Sequence, residues 1–186
     1  MSSETQRPPP DEASLREAAL NYLARYATTE VALRRVLERR IDRWAHQAVG
    51  RDDAGEHVAA AKALIPAIIA RMVELGLIND AAFAEARARG MALSGRSRRM
   101  IAAKLMAKGI APDQAREVVP EHQGGELASA LILARKRRIG PFRRAESDRN
   151  RELGVLARAG FPRDVALRVL EMEAAEAENI IHEARG

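Results

Sequence analysis

Two clusters of cations are the residues in this chain whose types and spacing could do chemistry. The first is Arg96, Arg98, Arg99, Lys104 and Lys108, and the second is Arg135, Lys136, Arg137, Arg138, Arg143 and Arg144. The second places six positive charges in ten residues with no acid among them, and Glu85 is the only acid between Asp80 and Lys108. Guanidinium and ammonium groups hold phosphates and carboxylates through charge-assisted hydrogen bonds. Positions 96, 99 and 104 fall on one side of a helical pattern, opposite Ile101 and Leu105. Residues 98 to 108 could form the recognition helix of a helix-turn-helix. They hold no Asn or Gln, the common adenine readers, so their arginines suit phosphate or acidic partners better than base readout. The plain alternative is that these arginines only solvate an alanine-rich surface.

Other chemistries find no support. Gly90 to Ser97 reads GMALSGRS, one residue from a phosphate loop, with Arg96 in place of the lysine. A phosphate loop follows a buried strand, and here an Ala- and Arg-rich helical pattern precedes it. The histidines, His46, His57, His122 and His182, are scattered without ligand spacing, and there is no cysteine. No metal site and no cofactor are therefore expected, and the acids show no catalytic pairing. The reading is of a protein that is not an enzyme.

The supporting elements are helical. Of 186 residues, 47% are hydrophobic, 31% charged and only 3% aromatic, and the net charge is +5. Alanine and leucine carry the apolar content and strand-like alternation is absent, which predicts an all-α fold. No apolar run approaches a membrane span of about 20 residues. Cysteine-free composition fits a reducing, cytoplasmic setting. Residues 1–11 are polar, Pro-rich and without an apolar signal core, and are expected to be a disordered tail. Charge is uneven: the positive residues lie in the middle, with Glu171, Glu173, Glu176, Glu178 and Glu183 near the end.

Along the chain, Asp11 or Ser14 opens a first helix with Leu15, Ala19, Tyr22, Leu23 and Tyr26 on its stripe. Thr28 or Thr29 caps a second, with Leu33, Val36, Leu37 and Ile41 inward and Trp44 as a packing anchor. A third runs from about His57 to Gly76, and Pro66 either kinks it or starts it. Asn79 or Asp80 caps the next, whose apolar side carries Phe83 and Met91, and Ser97 caps another. Pro112 suits the first turn of a short helix with Ala115, Val118 and Val119. Helices with Leu127, Leu131 and Ala134, with Leu153, Leu156 and Ala157, and with Val165, Ala166, Val169 and Leu170 follow. An acidic helix ends the chain.

The pattern repeats. LMAKGIAPD from Leu105 matches LARAGFPRD from Leu156, with Ala115 and Val118 on Ala166 and Val169 and Ser97 on Asp148. A weaker copy sets Thr28, Val31, Val36 and Ile41 against Ser97, Met100, Leu105 and Ile110. These matches predict three tandem three-helix repeats, 12–76, 79–122 and 124–184, in an elongated, curved arrangement.

Residues 75–84, with the pattern L-G-L-I-x-D-x-x-F-A, followed by L-x-x-K-G-I from Leu105, resemble the RecX family of recombination regulators. So do Ala19-Leu20-Asn21-Tyr22-Leu23 with its threonine cap, and ARKRRIGPFR followed by LARAGF. The resemblance spans about residues 15 to 172 and departs from the family at Asn79, at Arg40 and at the insertion Gly50 to Glu56. It implies a non-catalytic monomer that binds the RecA recombinase and lies in the groove of its DNA filament. There it would restrain ATP hydrolysis, strand exchange and coprotease action in DNA repair and the SOS response. On this reading the two cation clusters face RecA and single- or double-stranded DNA. The competing readings are a DNA-binding protein acting without RecA and a purely structural helical adaptor.

Overall fold

The computed structural model describes residues 8–48, 52–119 and 123–184, and all the regular structure among them is helical. Residues 1–7 of the expected tail, Gly50 and Arg51 of the insertion, His122 and Arg185 lie outside the described residues. The chain divides into two compact units, 1–83 and 84–186.

The first unit holds α1 (Glu12–Leu23), α2 (Glu30–Gln47) and α3 (Ala54–Glu74). Asp11 opens α1 with a capping box, accepting from the Ser14 N–H while the Ser14 hydroxyl accepts from the Asp11 N–H. Thr29, not Thr28, caps α2, accepting from the Ala32 N–H at 3.1 Å. Leu15, Ala19, Leu33, Leu37, Ile41, Ala61, Ile65, Ile68, Ile69, Met72 and Ile78 form one core. Burying each large aliphatic among them contributes about 1.5–3 kcal/mol before the entropy of ordering it. Tyr26 does not join the stripe expected of it and is 56% exposed, because α1 stops at Leu23. Val73, also expected inward, is exposed. Trp44 is buried, its ring edge-on to His57 at 6.0 Å, as a packing anchor should be. Helix α3 runs through Pro66, so the proline does not start it. Pro66 sits on the exposed face, where water can reach the carbonyl that a Pro66 N–H would have engaged.

Helix α4 (Asp80–Leu93) crosses from the first unit into the second. The second unit continues with α5 (Arg98–Ala107), α6 (Pro112–Glu117), α7 (Gln123–Arg137), a single 3-10 turn at Gly140–Phe142, α8 (Arg149–Arg158), α9 (Arg163–Glu171) and α10 (Ala174–Glu183). Asn79 caps α4, accepting from the Ala82 N–H at 2.9 Å. Asp80 instead reaches back to the start of α2, accepting from the Glu30 N–H at 3.0 Å. The inward side of α4 is Ala84 and Ala88, while Phe83 and Met91 are only half-buried.

Helix α7 is the hub of the second unit. From Glu126 to Ala134 only Leu133 escapes full burial. Leu127, Leu131, Ile132 and Ala134 pack with Leu156, Phe161, Ala166, Val169, Leu170, Ala177 and Ile181 in one core. The repeat is visible in the buried residues. Ile101, Leu105, Ile110 and Ala115 are buried along α5, its following turn and α6, and Leu156, Phe161 and Ala166 are buried at the matching places along α8, its turn and α9. The first unit matches one residue later than the sequence alignment placed it, with Thr29, Leu33 and Leu37 taking the roles of Ser97, Ile101 and Leu105.

Candidate functional site

The cations are positioned by turns that follow one rule. After α4, α5 and α8 the chain stops on a left-handed glycine, Gly95, Gly109 and Gly160, whose N–H and that of the next residue close onto the last-turn carbonyls. The end of α7 follows the same pattern with an arginine, since Arg138 takes φ +57 and the Ile139 N–H donates to the Ala134 carbonyl at 3.0 Å. A left-handed non-glycine residue costs about 1–2 kcal/mol and so needs surrounding structure to hold it.

Ser97 joins two of these turns. Fully buried, it caps α5 by accepting from the Met100 N–H at 3.3 Å and donates to the Ala159 carbonyl at 2.7 Å. The next N–H, that of Arg98, donates to Glu126 of α7 at 2.9 Å. Burial pushes the Glu126 carboxyl above its ordinary range, opposed by that hydrogen bond and by the charge of Arg98. The α5 end of the α4–α5 turn is therefore anchored both on the end of α8 and on α7.

This scaffold separates the predicted cations. Arg96, Lys136 and Arg137 line one cleft of about 720 Å³ together with Arg158, over Met100, Leu133 and Val155. Arg98 and Arg99 line a second of about 690 Å³ with Arg168, Glu126, Asp164, Phe161 and Val165. Lys104 on α5 and Lys108 at its C-cap are exposed and line neither. In the other cluster Arg135 pairs with Glu178 at 2.9 Å and Arg143 with Glu152 at 3.1 Å. Lys136 donates to the Ser94 carbonyl at 2.7 Å. Arg138 and Arg144 are exposed.

Four further residues shape this region that the cation clusters did not include: Arg158, Arg168, Glu126 and Glu152. Glu152 is the most informative, because the internal repeat sets it where α5 has the core residue Ile101. It is 1% exposed, yet accepts from the Gly140 N–H at 3.2 Å, from Arg143 and from the Ser147 hydroxyl. A buried acid replacing an aliphatic residue in a repeat is a signal readable without coordinates. It ties the basic segment 138–147 to α8.

Among the described residues, no group of His, Asp and Glu is placed to hold a metal ion, and no helix is long and apolar enough to cross a membrane. The GMALSGRS segment crosses the end of α4 and its glycine turn, with a helix rather than a strand before it.

Comparison with known proteins places this architecture. Residues 79–119 match the family profile described as RecX, second three-helix domain. The chain is 42% identical over 163 residues to the regulatory protein RecX of Myxococcus xanthus, covering 84% of each. It is 39% identical over 110 residues to that of Agrobacterium fabrum, 58% of this chain and 59% of the relative. The crystal structure of RecX from Lactobacillus salivarius shares the fold, with a TM-score of 0.58 at 23% identity over 94% of this chain and 96% of that one. An all-α chain of tandem three-helix repeats, related over most of its length to a named regulator, belongs to the RecX family of regulatory proteins.

Proposed function

We propose that this chain regulates the RecA recombinase by binding its DNA filament and lowering its ATP hydrolysis, strand exchange and coprotease action. The observation that carries the reading is the 42% identity over 84% of the chain to a regulatory protein RecX. The cationic clefts support it, since a filament coated on nucleic acid presents dense negative charge. The three helical stretches 12–76, 79–122 and 124–184 serve as its contacting repeats, and it acts as a cytoplasmic monomer without cofactor. Co-sedimentation with RecA filaments on single-stranded DNA, run beside an ATP hydrolysis assay, tests this. Binding with a fall in hydrolysis at protein below the RecA concentration is expected. No binding and unchanged hydrolysis at equimolar protein would remove the reading. The second reading, a DNA-binding protein acting without RecA, draws on the same cations. Retention on filaments at salt that abolishes binding to bare DNA separates the two.

A further inference from the structure

The two clefts differ in what faces their cations. In the Arg98 cleft, Glu126 and Asp164 stand among Arg98, Arg99 and Arg168. The Arg96 cleft gathers Arg96, Lys136, Arg137 and Arg158, with no carboxylate among its described lining residues. Like charges brought together on a concave wall repel one another and focus a positive field outward. Among the described lining residues only the Ser94 carbonyl, which accepts from Lys136, offsets that repulsion, so an arriving anion relieves the rest.

The wall is also held in place. A Cβ on Gly95 would lie 2.9 Å from the Leu133 nitrogen and 3.1 Å from Ile132 Cγ2, so the turn carrying Arg96 rests directly on α7. The Ser129 hydroxyl donates to the Ala92 carbonyl at 3.1 Å, and the Lys136 ammonium to the Ser94 carbonyl at 2.7 Å. Arg138, left-handed, ends α7 immediately after Arg137. Between the cations, half-buried Met100, Leu133 and Val155 give the cleft an apolar floor. Guanidinium groups match phosphate oxygens two at a time, and an apolar floor suits a sugar or base better than a bare inorganic ion.

We propose that this cleft binds the phosphodiester backbone of a nucleic-acid strand, with Arg96, Arg137 and Arg158 on phosphate oxygens and Met100, Leu133 and Val155 against sugar or base. The inference deepens the filament reading by giving this chain its own contact with the strand. Its test contains no recombinase, so the failure of either leaves the other standing. Fluorescence anisotropy of the full chain with a labelled single strand of about twenty nucleotides, longer than typical single-strand sites, measures it. Arg137→Glu with Arg158→Glu should weaken binding at least about tenfold and make the log–log salt slope shallower by about 1.4, two contacts at about 0.7 each. Arg39→Glu with Arg40→Glu, exposed on α2 and equal in charge change, should leave affinity and slope as they are. Arg137→Gln with Arg158→Gln is read the same way if the reversal fails to fold. Unchanged affinity and slope in the folded cleft variants would overturn the proposal. So would an equal loss in the α2 variant, or displacement of the strand by inorganic phosphate at matching phosphate concentration.

Discussion

Single residues at the turns carry unequal burdens, and the neighbours decide which. Gly76 and Gly160 are both left-handed, at φ +67 and +87. A Cβ at Gly76 meets nothing within 4 Å, whereas one at Gly160 would stand 2.7 Å from Ser97 Oγ. Gly76→Ala should therefore cost about 1–2 kcal/mol, the left-handed penalty alone. Gly160→Ala should cost more, because it also displaces the Ser97 bond to Ala159. Urea unfolding ranks the pair, and equal losses would show that Ser97 yields freely. Glu152 makes a parallel case. Glu152→Gln keeps an oxygen for the buried Gly140 N–H, while Glu152→Ala orphans it at about 1–3 kcal/mol. A calorimetric midpoint for the alanine variant at or above that of the glutamine variant would contradict the anchoring role.

Between elements, Glu126 links α7 to the start of α5, and its ionisation sets a pH dependence. Burial raises its carboxyl, outweighing the Arg98 N–H bond and the Arg98 charge. A carboxyl raised in the folded state binds its proton more readily folded than unfolded, so ionisation opposes folding. The penalty is absent below the ordinary glutamate range. It grows as pH climbs from that value to the raised one and is complete above it. Glutamine keeps the acceptor and removes the charge. Glu126→Gln should be more stable than the parent at neutral pH and converge with it in acid. Denaturant titrations across that window check the sign, and a variant less stable at neutral pH would reverse the argument. The same link explains why the cations separate. Arg96 and Arg98 flank a cap residue, and Ser97 is held toward α8 while the Arg98 backbone is held toward α7.

At the scale of the whole molecule, each unit carries its own core, centred on α1–α3 in one and on α7 in the other. The single tryptophan, Trp44, lies in the first unit, so its fluorescence reads that unit while circular dichroism reads both. Leu131→Ala, in the fully buried hub of the second, should cost about 2–5 kcal/mol there. A lowered dichroism midpoint with an unmoved tryptophan midpoint is expected, and equal shifts in both would mean that the cores unfold as one.

The sequence by itself determined the helical class, the cap residues to within one to three positions, the glycine stops and the register between the α5–α6 and α8–α9 pairs. It also carried the family, because these signals are local: a cap, a stop and an apolar period act within one or two turns of chain. It left Pro66 open between a start and an interior position, and it slipped the first copy of the repeat by one residue. It marked Phe83 and Met91 in α4, where the buried face is Ala84 and Ala88, since alanine serves buried and exposed helix faces alike. Which cations share a cleft was not legible. Arg96 and Arg98 stand two positions apart yet line different clefts, and Arg158 joins Arg96 from far along the chain. Glu152, Glu178 and the Ser94 carbonyl engage Arg143, Arg135 and Lys136. Only the packing around α7 decided those pairings, with α10 bringing Glu178 to Arg135 and the α4–α5 turn bringing Ser94 to Lys136, because a charge meets its partner across space, and the distance between them is set by the core.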